Sequence, residues 1–299
     1  MKKKILMLVL AATLTLSATA CGSKDDGAAS AESNEVQTEE QAEEEEIDAF
    51  AAAVENMESV TNMEAQMVMD MGMEMSAEGE SQAIDFVTTM DMAFFSEPRK
   101  IKAIMTIDMG ELGSAEQSIY GEVTEDGTGM MYLYDGASWQ SMAVEAADLG
   151  QYDASSSMLS FIDNGSEYTL EGMEEVDGAN AYKYSCVTSG EEAKQILLSS
   201  GATDSLSSLG ITAEQLESNI GDVGEITEYV WIDEATLYPV KYESDMTEAM
   251  NTLMTGIFES MGEQAQGMTM SIPKMKISMT CSNFNSAADF TIPEEAKAN

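Results

Sequence analysis

The sequence predicts an α+β domain dominated by one long, curved antiparallel β-sheet, and three observations predict it. The first is the stretch Asn62–Ser76. Met63, Met67, Met69, Met71, Met73 and Met75 share one parity there, with Ala65 between them, while Glu64, Gln66, Asp70, Glu74 and Ser76 hold the other, broken by Val68 and Gly72. A period of two is that of a strand with one apolar and one polar face, and about fifteen residues at ~3.3 Å each make a strand of roughly 50 Å. The second is that the same alternation returns after short breaks. It runs through Ile84, Phe86, Met90, Met92 and Phe94, then through Ile101, Ala103, Met105, Ile107 and Met109, as in a meander. The third is a series of Asp-Gly pairs, at Asp126-Gly127, Asp135-Gly136 and Asp177-Gly178, where glycine accepts the positive φ of a tight turn. One apolar face per strand fits an antiparallel sheet covered on one side better than a sandwich core.

Taken in order, the chain starts with Lys2, Lys3 and Lys4, an apolar run from Ile5 to Leu16, the small residues Ser17, Ala18, Thr19 and Ala20, and then Cys21. This is the layout of a secretory signal, and an apolar core of about twelve residues is too short for an ordinary transmembrane helix. Cleavage before Cys21, with Gly22 and Ser23 behind it, resembles the bacterial lipobox, although Ala18 stands where that motif usually carries Leu. The resemblance implies a diacylglycerol thioether on Cys21, whose two acyl chains anchor stably where one would not. A plain signal peptide with an incidental cysteine is the alternative. The expected organisation is a lipoprotein signal peptide over residues 1–20, a lipidated acidic tether over 21–46 and a single domain over 47–299. The chain is expected outside the cell, lipid-anchored on the outer face of the membrane. The tether, rich in Ala, Ser, Gly, Glu and Gln, with Glu39, Glu40 and the run Glu43–Glu46, cannot bury enough surface to offset chain entropy.

An opening helix is expected over Ile47–Val60, where Ile47, Phe50, Ala51, Val54 and Met57 recur at three and four. A turn over Ala77–Gln82, containing Gly79, separates the first two strands, and Ser96, Glu97 and Pro98 end the second. Gln117–Glu125 and Thr128–Tyr134 form a hairpin, and Asp135-Gly136 leads on to Trp139. Tyr120, Tyr132 and Tyr134 alternate as ordinary sheet aromatics or as phenols at a rim. Val144–Ile162 is helical in part, through Leu149, Tyr152, Met158, Leu159 and Ile162, and Glu167–Glu174 pairs with Asn180–Thr188. Short helices follow at Glu191–Ser199 and Thr212–Ile220, the second with Thr212 and Gln215 as a capping box. A Ser-rich link joins them, and both are expected to cover the open sheet face. Ile226–Asp233 and Leu237–Asp245 make another hairpin. Met250, Leu253, Met254, Ile257, Phe258 and Met261 set an amphipathic helix within Met250–Gly267, before a last strand, Lys274–Asn285.

Within that hairpin, Val230-Trp231-Ile232-Asp233, then Thr236 and Pro239-Val240-Lys241, resembles a signature of exported lipoproteins with a LolA-like fold. The group includes the lipoprotein carrier LolA, LppX/LprG-type lipid-binding lipoproteins and many Gram-positive surface lipoproteins. The last strand and Phe290-Thr291-Ile292-Pro293 are similar to it as well. The resemblance implies a near half-barrel with helices on its concave face, and between them a cavity that takes acyl chains or lipoproteins in characterised members. It carries over no individual binding residue, because such a group shares a fold and not a site.

Composition narrows the chemistry. The formal charge is −42, and loss of Lys2, Lys3 and Lys4 with the leader, one unit each, would take it to −45. Such a chain is not expected to bind nucleic acid or anionic head groups. There is no histidine, hence no imidazole base, nucleophile activator or zinc ligand, and no nucleophile elbow or glycine-rich phosphate loop is present. Neither catalysis nor a cofactor is expected. Cys186 and Cys281 leave a disulfide and two buried thiols both open. The 26 methionines are the chemical signal, because flexible, polarizable thioethers suit adaptable apolar surfaces. The candidate groove has Met67, Met69, Met71, Met73 and Met75 as one wall, with Phe86, Met90, Met92, Phe94 and Met105 beside it. Its expected occupant is a hydrophobic small molecule or lipid. The alternatives are that these side chains fill a core in a module that binds another surface protein or serves as a sensor, or that the thioethers hold Cu(I).

Overall fold

The computed structural model describes residues 48–77, 80–162, 167–190, 193–194, 223–260 and 268–298. The expected signal peptide, Cys21 and tether lie outside them, as do the helix expected at 212–220, nearly all of that expected at 191–199, and residues 261–267 of the stretch expected to hold the last amphipathic helix.

The chain enters through α1 (Ala49–Glu58), two residues shorter at each end than its apolar spacing suggests. Asp48 caps it by accepting the Ala51 N–H at 3.1 Å. Six strands follow: β1 (Asn62–Ala77), β2 (Glu80–Ser96), β3 (Arg99–Asp108), β4 (Ser114–Val123), β5 (Gly129–Tyr134) and β6 (Trp139–Val144). After a 3₁₀ turn at Asp148–Tyr152 comes α2 (Ala154–Ile162), capped by the buried Asp153, which accepts from the Ser155 N–H and hydroxyl, each at 2.9 Å. Then come β7 (Thr169–Val176), β8 (Ala179–Ser189), β9 (Glu225–Asp233), β10 (Pro239–Asp245), α3 (Thr247–Ser260), β11 (Met268–Ser282) and the short α4 (Glu294–Lys297).

All eleven strands make one antiparallel sheet in the order β6-β5-β4-β3-β2-β1-β11-β10-β9-β8-β7. The methionine strand β1 is therefore central. The chain runs outward from it to the β6 edge, crosses through α2 to the β7 edge, and returns inward to close β11 against β1. The α+β architecture with a large antiparallel sheet is as the sequence predicts. The first turn is tighter than expected. Glu80, Ser81 and Gln82 already pair with Ala77, Ser76 and Met75, and their polar side chains hide that pairing from a hydrophobic pattern. β11 likewise starts before Lys274. A register shift between Gly72 and Glu74 absorbs one extra residue on β11 beside Pro273, which has no N–H to give to a ladder.

One face of the sheet carries two apolar clusters. The first gathers Met63, Ala65, Met92, Phe94, Ile101, Ala103, Ile119 and Met279 beneath Ala53 and Met57 of α1 and Met158 and Ile162 of α2. The second gathers Ile226, Met246, Ile272 and Met275 beneath Ala249, Leu253 and Met254 of α3, with Ala193 and Val223. Each fully buried methionine or isoleucine contributes about 1.5–3 kcal/mol of transfer free energy. Covered on one face as expected, the sheet also carries something on the other that the sequence does not announce. The C-terminal segment after β11 crosses that opposite face as a strap. Asn285 ties it to Thr61 and Asn62, Phe290 lies against Phe95 and Tyr120, and Ile292 and Ala296 bury against Tyr132.

Candidate functional site

Cross-strand register assembles the methionine face. Met67 lies opposite Met90 on one side and Met279 on the other, and Met90 in turn faces Met105, so four thioethers stand in one row across β3, β2, β1 and β11. Met71 faces Phe86 and Met275, and Met69 faces Thr88 and Ile277. Directly opposed side chains have Cβ atoms about 4.5–5.5 Å apart, so the Met67 and Met71 rows are continuous apolar tracks, while Thr88 interrupts the Met69 row.

The sequence-predicted residues divide along these rows. Met92 and Phe94, each 5% exposed, sit inside the first cluster beneath α1 and α2. Met67 and Met90 are half-buried at its margin. Met69, Met71 and Met73 are half-buried against the second cluster, under α3. Phe86 and Met105 are half-buried too, and Met75 is 38% exposed at the far end. Along β1, then, Met63 is fully enclosed, Met67, Met69, Met71 and Met73 are half-buried, and Met75 is exposed.

Between the two clusters, the same face carries a polar seam that the apolar pattern misses. Glu228 is 2% exposed on β9, between Cys186 of β8 and Ser244 of β10, both also buried. The Tyr242 hydroxyl donates to Glu228 Oε1, and the Tyr242 ring stacks on Phe161 of α2 at 4.4 Å and 4°. Burial, and secondarily the Glu228 charge, hold the Tyr242 phenol well above the ordinary tyrosine range. Cys186 Sγ lies 3.6 Å from the Thr188 hydroxyl. The signal was present in the sequence: in Ile226, Glu228, Val230 and Ile232, one acid occupies a position of apolar parity. Cys186 and Cys281 are both buried free thiols, three strands apart, which decides the open alternative. Burial raises the Cys281 thiol far above its usual range.

The opposite face is polar and laced with ion pairs: Lys274–Asp70 at 2.8 Å, Lys276–Asp245 at 3.0 Å and Lys241–Glu243 at 2.8 Å. A depression of about 580 Å³ there is lined by Val68, Asp70, Tyr229, Glu243, Asp245 and Lys276. Trp231 is 2% exposed on this face, with the Lys183 and Lys241 ammonium groups over its ring and its indole N–H donated to Glu174 at 3.1 Å. Tyr120 and Tyr132 oppose each other under the strap, so these two are packed sheet aromatics.

Tyr132 donates to Glu122 at 2.9 Å, and burial, then that contact, push its phenol up to about 12 from 10.0. A raised folded-state value contributes stability that is complete below the unfolded value and is lost as pH rises through the folded one. The denaturant midpoint is therefore expected to fall between pH 10 and about 12, and Tyr132→Phe to remove part of that fall. Parallel profiles for the two proteins would deny Tyr132 the role.

Among the described residues, no group of three or more His, Cys, Asp or Glu is placed to hold a metal ion, and no helix is long and apolar enough to cross a membrane.

Residues 44–299 match the model of DUF6612, described as a family of unknown function. No curated protein sequence matches the chain. Among solved structures, the chain is similar to the lipoprotein LppX of Mycobacterium tuberculosis, with 12% identity, a TM-score of 0.38, and coverage of 81% of this chain and 95% of that one. It is similar to LprF of Mycobacterium bovis, with 13% identity, a TM-score of 0.42, and coverage of 83% and 95%. A LolA superfamily protein from Nitrosomonas europaea matches with 8% identity, a TM-score of 0.19, and coverage of 81% and 93%.

Proposed function

The chain belongs to DUF6612, a family of unknown function, and from that premise we propose that it is an exported, membrane-anchored lipoprotein that binds a hydrophobic ligand, a lipid or acyl chain, without catalysis. The anchor is the lipid on Cys21. The ligand lies along the methionine rows of the covered face, in a cavity of the LolA-like kind. The observation that carries this reading is the gradient along β1, where Met69, Met71 and Met73 stay half-buried beside a core that fully encloses Met63 and Met92. A strand meant only to fill a core has no reason to leave a thioether track partly uncovered. Contact area alone holds such a ligand, and flexible thioethers adapt to chains of different shape.

A second reading, a module that binds another surface protein, is favoured by one observation: the edge strand β7 exposes Leu170 by 51% and Met173 by 50%.

Native mass spectrometry of the unit beginning at Ile47, purified without detergent, separates the two. Residues 46–299 cluster as one compact unit, so this piece is expected to fold. A co-purifying mass that extracts into organic solvent is the expected result and identifies the ligand class. A clean apo mass, unchanged after incubation with mixed lipids and with Cu(I), moves the weight to the protein-binding reading.

A further inference from the structure

The sulfur atoms of the described residues fall into tiers of access. Cys186 and Cys281 are both enclosed, and burial holds the Cys281 thiol protonated, so no accessible thiolate, the usual first target of an oxidant, is on offer among them. Met63, Met158 and Met279 are fully enclosed in the core that joins α1 and α2 to the sheet. Met75, Met142 and Met173 are exposed. Met69, Met71 and Met73 lie between these extremes, half-buried against the second cluster. Met142 and Met173 stand apart on the edge strands β6 and β7. Met69, Met71, Met73 and Met75 are instead alternate residues of one strand, paired throughout with β2, so they share a face at about 6.6 Å per step. That run is a line of accessible thioethers on the covered face, with its open end at Met75.

We propose that Met69, Met71, Met73 and Met75 form an oxidation site for a peroxide, and that their conversion to sulfoxides releases the hydrophobic ligand. The release rests on the proposed function, and the site itself does not. In each step a thioether lone pair attacks one peroxide oxygen, the O–O bond breaks, and the departing oxygen takes up the proton that the transferred oxygen loses. The products are a sulfoxide and, from hydrogen peroxide, water, so sulfur gives up the two electrons that the peroxide gains. The S=O group is polar and accepts hydrogen bonds, where the thioether offered apolar contact. An acyl chain lying over it leaves that acceptor without a partner, which is costly. The tiers of access make the step selective. The enclosed methionines stay reduced, so the sheet keeps its helices while the ligand face changes character. Hydrogen peroxide is neutral, and the formal charge of −42 does not repel it as it repels an anionic oxidant.

The test treats the unit beginning at Ile47 with hydrogen peroxide. Peptide mass spectrometry locates the modified methionines, an environment-sensitive apolar dye reports binding, and circular dichroism reports the fold. Met75 is expected to oxidise with Met142 and Met173, then Met69, Met71 and Met73, with Met63 and Met279 untouched and the spectrum retained. Dye affinity is expected to fall at least about tenfold as Met69, Met71 and Met73 convert, and methionine sulfoxide reductase to restore it. Met69→Leu, Met71→Leu, Met73→Leu and Met75→Leu combined nearly conserve volume and leave nothing in the run for peroxide to oxidise. Treated and untreated samples of that variant are expected to bind alike. Equal losses in the variant and the wild type overturn the proposal. So does a wild-type loss that follows Met142 and Met173 instead of the run, a comparison that needs no variant. Oxidation of Met63 in step with Met71, or unchanged dye affinity once the run has oxidised, does the same. Each of these results leaves the proposed function standing. A dye that the untreated protein never binds overturns the release and the proposed function together.

Discussion

Met71→Glu is expected to abolish ligand uptake in a domain that still folds, whereas Met92→Glu is expected to prevent folding. The two residues share a parity of the apolar pattern but not an environment. Met92 is 5% exposed between Ala65 and Ala103, inside the cluster that α1 and α2 close. An isolated carboxylate there must neutralise or stay without solvation, at a cost of several kcal/mol against a total stability of about 5–15 kcal/mol. Met71 is half-buried between Phe86 and Met275, where a carboxylate can reach water for about 1–2 kcal/mol while putting a charge on the track. Circular-dichroism melts report the folding, and native mass spectrometry reports the uptake. A folded Met71→Glu protein that still loads lipid would take Met71 off the ligand's path.

The second large effect concerns the strap. Ending the chain after Ala288 removes Asp289 and the Phe290 carbonyl from Lys100, the Phe290 ring from Phe95 and Tyr120, and Lys297 from Glu122. It also uncovers Tyr132, now 5% exposed, by removing Ile292 and Ala296. Ile292 is buried and Phe290 half-buried, so their side chains together account for about 2–4 kcal/mol of burial. The ion pairs add little, since Asp289 is largely in water. Urea unfolding is expected to show a clearly lower midpoint with a nearly unchanged slope. An unchanged midpoint would mean that the tail rests on the sheet without holding it.

Alternation made β1, β2 and β3 legible because each strand has one wet face. Asp-Gly made the hairpins legible because the turn needs a left-handed residue: Gly127 and Gly178 both have φ of 86°. What escaped were facts of the third dimension. Nothing local says that β1 pairs with β11, so its central place was hidden. Phe290 and Ile292 stood out in the sequence only as part of a tail that resembles the LolA-like group, yet they cover the sheet's opposite face. Trp231 belongs to that wet face by parity and is enclosed all the same, by lysine stems from β8 and β10. At the candidate site, periodicity gave the methionine face but could not divide it, because Met71 and Met92 differ only in which helix lies above them. Glu228 was visible as a break in a pattern, and a break alone does not distinguish a bulge from a buried acid.

The central position of β1 also governs how the molecule can form. Glu64 meets Ser282 and Ala77 meets Met268, so the sheet's middle seam joins the first described strand to the last. Contacts of that sequence separation make folding slow. While β11 is unpaired, the sixteen residues of β1 leave a long row of backbone N–H and C=O groups open at its edge, beside a face of thioethers. Such an edge is a template for any other extended chain. The chain's aggregation hazard is thus greatest just before its final strand is free to pair, and a truncation that removes β11 would keep it there.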